Sequence, residues 1–280
     1  MGQFLLHDFI IEKHVKSALE EDIGFGDITT DFLADENDFL SGSLNTRSEG
    51  ILCGCDVFKT VYKVLSHEIK IKFHFKDGDL IKKGDKIADI SGPARFLLIG
   101  ERTALNYIQR LSGIATETKK YQEAIGDYPT QIVDTRKTTP DFRMFEKYAV
   151  KTGGGALHRF NLSDCAMIKD NHIKLAGSIT NAVNKLRKNI SHAHKIEVEC
   201  DTLDQVQEAL DCKADIIMLD NMTIDEMKSA CELIKKRAII EASGNVNLET
   251  VNKIASVGVD IISSSAIVAK APTLDLALDI

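Results

Sequence analysis

The sequence predicts an α/β fold whose parallel sheet closes into a barrel. Beyond residue 130, six short apolar segments alternate with stretches of helical periodicity. Repeating units of that length join parallel strands by right-handed crossovers. Each apolar segment also finishes in polar or charged residues, as barrel strands do where their ends open onto a shared face. Six such strands favour closure over an open sheet.

A chain of 280 residues can bury a large core without disulfides or metals. Its 42 acidic and 35 basic residues give a net charge of −7, with the basic residues dispersed, which argues against nucleic-acid or membrane-surface binding. No apolar run reaches about 18 residues, and Met1 to Lys13 lacks a basic stretch followed by an apolar core and cleavage site. The six cysteines (Cys53, Cys55, Cys165, Cys200, Cys212, Cys231) form neither a C-x-x-C pair nor a zinc-spaced Cys/His set, so reduced thiols in a cytoplasmic protein are expected. There is no internal repeat and no low-complexity segment.

The chain changes character around residue 113, which divides it into domains 1–113 and 114–270, with 271–280 free to pack back on the first. Val15 to Glu21 reads as a short helix, and Ser41 to Ser48 and Ile69 to Phe75 read as strands by alternation. The segments Lys76-Asp77-Gly78-Asp79 and Lys82-Lys83-Gly84-Asp85 supply turns between apolar pairs, as in compact hairpins. Leu97 to Leu111 switches to helical spacing, with Leu98, Leu105, Ile108 and Leu111 on one side, and should bridge the domains. The barrel strands are Gln131–Asp134, Ala166–Lys169, Lys195–Glu199, Ile216–Asp220, Ile239–Ser243 and Ile261–Ser264. Among the helices between them, Thr223 to Lys236 carries the stripe Ile224, Met227, Cys231, Ile234.

The strand ends carry Asp134-Thr135-Arg136-Lys137, Lys169-Asp170-Asn171-His172, Glu199, Asp220-Asn221, Ser243-Gly244-Asn245 and Ser263-Ser264-Ser265. Any one of these suits a loop or a helix N-cap; all six together point to a functional face. Arg136, Lys137, His158, Arg159 and Lys169 form a cationic set that calls for a ligand with several carboxylate or phosphate groups. Glu199 and Asp220, on successive strands, suit Mg²⁺ with its waters or a positive charge building on a reacting carbon. Polyanion, metal and developing cation together suggest transfer of a phosphorylated sugar. Gly153-Gly154-Gly155 would allow close backbone approach to a ligand, and Ser243-Gly244-Asn245 could offer N–H groups to a phosphate, although either run alone is more often a turn.

These residues stand in longer motifs. They are Asp134-Thr135-Arg136-Lys137-Thr138-Thr139-Pro140, Glu146-Lys147-Tyr148-Ala149-Val150, His158-Arg159 and Met167-Ile168-Lys169-Asp170-Asn171-His172, with Glu21 to Thr30, Glu101-Arg102 to Asn106 and Leu111 to Thr116 upstream. In that order they resemble the quinolinate phosphoribosyltransferase family over nearly the whole chain. The resemblance implies an N-terminal α/β sandwich followed by an incomplete (β/α) barrel, in a homodimer whose active sites draw on both subunits. It implies that quinolinate and 5-phosphoribosyl-1-pyrophosphate (PRPP), with Mg²⁺, give nicotinate mononucleotide, pyrophosphate and CO₂. By position, Arg102 (from the neighbouring subunit), Arg136, His158, Arg159 and Lys169 would grip the quinolinate carboxylates. Lys137, Glu199 and Asp220 would act at PRPP and Mg²⁺. Thr135 joins the binding set, Ser243, Gly244 and Asn245 a phosphate loop, and Ser264, Ser265 and Ala266 a second phosphate contact. Of the glutamates in Ile196-Glu197-Val198-Glu199, the second matches the functional position, and Glu197 is assigned to the opposite face.

Two positions depart from the family pattern. Ser265 and Ala269 stand where glycine and histidine are usual, which should weaken the hold on a sugar-donor phosphate, with Lys270 as an electrostatic substitute. Asp141 replaces the glycine that commonly follows Thr-Thr-Pro and alters a turn. His172 is expected to hold a loop, His192 and His194 lie in a polar loop unsuited to metal, and Glu21, Asp22 and Asp27 form a solvated helix end. Four other readings remain. Lys169 would suit a Schiff base, as in barrel aldolases. A molybdenum-transport-associated subfamily shares the architecture but diverges at Asp-Thr-Arg-Lys and Lys-Asp-Asn-His. A nicotinate-preferring enzyme would need fewer cations at the ring, and a silent metabolite-binding protein would bind without turnover.

Overall fold

The computed structural model describes residues 6–280; the start of the first domain and part of the Met1 to Lys13 segment lie outside the described residues. In chain order the elements are α1 (Asp8–Ile23), α2 (Thr30–Leu33), β1 (Phe39–Thr46), β2 (Gly50–Ile51), α3 (Cys55–Leu65), β3 (Lys70–Phe73), β4 (Leu80–Ile81), β5 (Lys86–Pro93), α4 (Ala94–Ile125), β6 (Gln131–Val133), α5 (Arg143–Thr152), β7 (Ala166–Ile168), α6 (Asp170–Ala176), α7 (Ile179–Asn189), β8 (Ile196–Cys200), α8 (Leu203–Asp211), β9 (Ile216–Asp220), α9 (Ile224–Ile234), β10 (Ile239–Ser243), α10 (Val251–Ser256), β11 (Ile261–Ser263), α11 (Ala266–Ala269) and β12 (Leu276–Asp279). They form two compact units. One comprises the chain up to Lys119 with Met144–Gly154 and Ala271–Ile280; the other is Lys120–Arg143 with Gly155–Lys270.

The first unit is an α/β sandwich on an antiparallel sheet of order β12-β1-β5-β3. The C-terminal strand completes it, Leu278 lying opposite Leu44. Phe58, Tyr62 and Phe73 form an edge-to-face aromatic group under the sheet. Asp77 accepts from the N–H groups of Gly54 and Cys55 at 2.9 and 3.0 Å, capping α3, and accepts from the Tyr148 hydroxyl at 2.7 Å. Gly78 and Gly84 do turn the chain with positive φ. The expected hairpin between them is replaced by pairing of β4 with the distant β2, which shields two-residue strands that could not stand alone.

The cut expected near residue 113 falls inside α4, which runs on to Ile125. On that helix Leu105, Ile108 and Leu111 are buried, but Leu98 is 41% exposed and Leu97 takes its place in the core. The motif Glu146 to Val150 lies on α5 in the first unit, where fully buried Glu146 accepts from Arg110 at 3.0 Å.

The second unit is a six-stranded parallel sheet of order β6-β11-β10-β9-β8-β7, an incomplete barrel. Apolar side chains such as Ile168, Val198, Ile217, Leu219, Ala242 and Ile262 bury one face of its strands against helices. Thr202 with Gln205 and Thr223 with Glu226 make reciprocal capping boxes that start α8 and α9 just past strand ends. In the α9 stripe Met227 and Ile234 are buried while Ile224 is 38% exposed, because it occupies the first helical position. No described helix is long and apolar enough to cross a membrane.

Candidate active site

At the C-terminal ends of the barrel strands a cavity of about 730 Å³ opens, built entirely from the second unit. It gathers Thr135, Arg136 and Lys137 after β6, His158 and Arg159, Lys169 after β7, Glu199 on β8, Asp220 on β9, Ser243, Gly244 and Asn245 at β10, and Ser264, Ser265 and Ala266 after β11. Of the site residues expected from sequence, Arg102 is not in this lining; it is exposed on α4 in the first unit. Gly153 is not in the lining either. A Cβ there would lie 2.3 Å from the Ala115 carbonyl oxygen, so its close approach is to the protein's own backbone rather than to a ligand.

The cationic side holds three guanidiniums. Burial, then the neighbouring charges of Arg159 and Arg143, lower the Arg136 pKa from its ordinary value. Its buried Nε has no hydrogen-bond partner among the described residues. Arg159 donates to the Cys165 carbonyl at 2.9 Å and to Met167 Sδ at 3.3 Å, which fixes its direction. Arg143, not singled out by sequence, donates to Thr138 Oγ1 at 2.9 Å and to the Phe160 carbonyl at 3.1 Å, tying the 135–138 loop to the 158–160 segment. Its one sequence signal is a cation three residues after Pro140. Such crowding of like charge favours a multivalent anion between the guanidiniums.

Opposite stand the carboxylates. Glu199 accepts a short contact from Lys169 Nζ, and Asp220 Oδ2 accepts from Asn221 Nδ2 at 2.7 Å. Lys169 is the N-cap of α6, and its N–H donates to His172 Nδ1 at 3.0 Å, so His172 orders the turn that presents Lys169. The loop after β10 is tightly constrained. Gly244 has φ +91°, Asn245 and Asn221 have φ of 52° and 54°, and the Asn221 N–H donates to the Ser243 carbonyl at 3.0 Å. Ser265, by contrast, has φ −74°, which any residue adopts, so its backbone does not need the usual glycine. Lys270 also lines the cavity.

Beneath the cations lie His158, Glu197 and Glu241. The assignment of Glu197 to the face opposite Glu199 is wrong: residues two apart on a strand share a face. Glu197 points inward one layer deeper, fully buried, with Oε2 at 3.4 Å from His158 Nε2. Glu241 Oε1 lies at the same distance on the other side. Burial lifts the Glu197 carboxyl above the usual range. Burial disfavours a charge on His158, but the facing carboxylates of Glu197 and Glu241 outweigh it and favour a proton on Nε2. The Arg159 N–H pointing at His158 Nδ1 opposes a proton on that nitrogen, so the proton held by the trio belongs on the Nε2 side. The His158 N–H donates to Asp134 Oδ1 at 2.9 Å, which explains the buried aspartate that opens the Asp-Thr-Arg-Lys motif. All six cysteines are free thiols, and burial raises the pKa of each.

Comparison with known proteins agrees with this geometry. Residues 114–279 match the family described as quinolinate phosphoribosyl transferase, C-terminal domain, and residues 27–112 match its N-terminal domain. The chain is 43% identical over 274 residues to a Synechocystis protein named probable nicotinate-nucleotide pyrophosphorylase (carboxylating), covering 97% of this chain and 92% of that one. A Bacillus subtilis protein of the same name is 43% identical over 260 residues, covering 93% and 90%. The crystal structure of NadC from Streptococcus pyogenes superposes with a TM-score of 0.95 at 41% identity, covering 99% of this chain and 98% of that one.

Proposed function

The chain belongs to the quinolinate phosphoribosyltransferase family, and from that premise we propose that it converts quinolinate and PRPP to nicotinate mononucleotide, pyrophosphate and CO₂ in NAD biosynthesis. The observation that carries this reading is the cavity itself: Arg136, Arg159, Lys137 and Lys169 on one side, Glu199 and Asp220 on the other. A dicarboxylate and a pyrophosphorylated sugar need those charges, and a neutral or cationic substrate does not.

In this reading Arg136 and Arg159, with Lys169, grip the quinolinate carboxylates and aim the ring nitrogen at the anomeric carbon. The bond from that carbon to pyrophosphate breaks with cation-like character, which Glu199 and Asp220 stabilise while Lys137 meets the leaving group's charge. The nitrogen lone pair forms the new C–N bond. The ring, now a pyridinium, accepts the electron pair released when the C2 carboxylate leaves as CO₂, and C2 then takes up a proton. Ser243, Gly244 and Asn245, with Ser264, Ser265 and Ala266, face the phosphates, and Lys270 adds a charge there.

The donor set suits Mg²⁺: Glu199 and Asp220 are hard oxygen ligands at adjacent strand ends in a cavity roomy enough for waters and phosphate oxygens. Mg²⁺ bound there would supply charge neutralisation for the pyrophosphate. We also read the protein as a cytoplasmic homodimer. Exposed Phe25, Ile28, Phe32 and Leu33 in the first unit form an apolar surface suited to a second copy, which would bring Arg102 to its partner's site. The free thiols suit a reducing compartment.

The test is coupled formation of CO₂ and nicotinate mononucleotide from quinolinate, PRPP and Mg²⁺, with Arg136→Ala as control. Both products should appear together and be lost in the control. Saturable quinolinate binding without product would replace the enzyme with a binding protein.

A further inference from the structure

His158 is expected from sequence to grip quinolinate, yet both its ring nitrogens face protein partners, and Glu197 and Glu241 have no part in the transfer steps above. Glu197 and Glu241 are almost wholly buried, and both oxygens of Glu197 and Oε1 of Glu241 have no hydrogen-bond partner among the described residues. Two carboxylates in a protein interior are costly unless a proton or a cation lies between them. The 3.4 Å separations from His158 Nε2 would admit either.

The other ring nitrogen decides between them. The Arg159 N–H donates to His158 Nδ1 at 2.7 Å, so Nδ1 carries a lone pair. An imidazole that binds a metal keeps its proton on the remote nitrogen and donates it outward; here the remote nitrogen accepts. Nε2 therefore carries the ring proton and directs it at the carboxylates.

We propose that Glu197 and Glu241 are positioning residues for the aromatic dicarboxylate: they hold His158 in the orientation whose Nδ1 fixes the Arg159 backbone, and with it the guanidinium above. The connection is continuous. His158 is pinned at its own N–H by Asp134 and at Nε2 by the two carboxylates, and Arg159 is pinned at its N–H by His158 and at its guanidinium by Cys165 and Met167. Glu197 and Glu241 thus act through His158. The proposal rests on Arg159 as a carboxylate grip.

Steady-state kinetics of Glu197→Gln and Glu241→Gln, beside Arg159→Ala, test it. In each Gln variant the KM for quinolinate should rise about tenfold, less than the roughly 10²-fold that a full ångström of misplacement can cost, while the KM for PRPP stays within about twofold. A merely structural role would reduce active protein without splitting the two constants, so equal changes in both, or none, overturn the proposal. If only Arg159→Ala raises the quinolinate KM, the grip stands and the positioning role falls; if Arg159→Ala leaves it unchanged, both fall. Should the Gln variants not fold, ¹⁵N imidazole spectra of the intact protein apply. They should show the His158 proton on Nε2, and a proton on Nδ1 or a stoichiometric bound metal would overturn the proposal.

Discussion

Replacing Gly244 by alanine is the sharpest perturbation of the loop assigned to phosphate. The new Cβ would lie 2.2 Å from Asn221 Oδ1, 2.7 Å from its Cγ and 2.9 Å from its backbone nitrogen, at φ +91°. The left-handed backbone alone costs an L-residue about 1–2 kcal/mol. Driving the Asn221 amide off its rotamer adds about 0.5–1.5 kcal/mol. The amide can swing away, but the Asn221 backbone nitrogen cannot, because its N–H is bonded to the Ser243 carbonyl on the same loop. A sum of about 1.5–3.5 kcal/mol should lower Tm by several degrees, at roughly 2–4 °C per kcal/mol. Whatever strain remains folded moves Ser243 and Asn245, so the KM for PRPP should rise about tenfold or more, a loss near 1.4 kcal/mol. Quinolinate affinity should hold, since its cations come from other strand ends. Calorimetry and steady-state kinetics read both effects. A fall in Tm with unchanged PRPP KM would refute the phosphate role, and unchanged values of both would refute the clamp itself.

Ser265→Gly should change the PRPP KM by less than about threefold, since φ −74° requires no glycine; a large gain in affinity would show that the serine side chain obstructs the donor. Asp141 sits at φ 60°, so Asp141→Gly should stabilise the protein by about 0.5 kcal/mol, less than a bulkier residue would release, as measured by denaturant unfolding. Glu199→Ala should reduce kcat about 10²-fold or more with quinolinate binding nearly intact; an effect confined to KM contradicts its role at the developing cation. Chelating Mg²⁺ should abolish turnover while quinolinate still protects against thermal unfolding, and full activity in chelator would remove the metal from the reaction.

What the sequence discloses depends on how far each element's packing repeats along the chain. The barrel strands are read to within a residue or two because each is a short apolar run ending in charge, and both features arise from burial in a parallel sheet. The pairing of β4 with β2 leaves no such trace: two residues hold no period, and their partners lie far apart in sequence. β5 is harder still, since Ile87 and Ala88 are buried in succession and blur the alternation. α3 carries a helical stripe of Val57, Phe58, Val61 and Tyr62, but its start is set by Asp77 from outside the helix, which no local cap signal announces.

The site divides in the same way. Residue types at strand ends reveal charge, and thus the kind of ligand; they do not reveal depth. Glu197 and Glu199 share one face and one chemistry, and only their depth along β8 separates them. The upper carboxylate meets Lys169 at the cavity wall, while the lower, fully buried, meets His158 across from Glu241. A carboxylate that faces inward below a functional one has no solvent to keep it charged, so its presence needs a partner across the barrel. Glu241, two residues before Ser243 on β10 as Glu197 is two before Glu199 on β8, is that partner. The repeated offset is visible in the sequence once period two is applied correctly, and it marks these strands as carrying a second functional layer beneath the first.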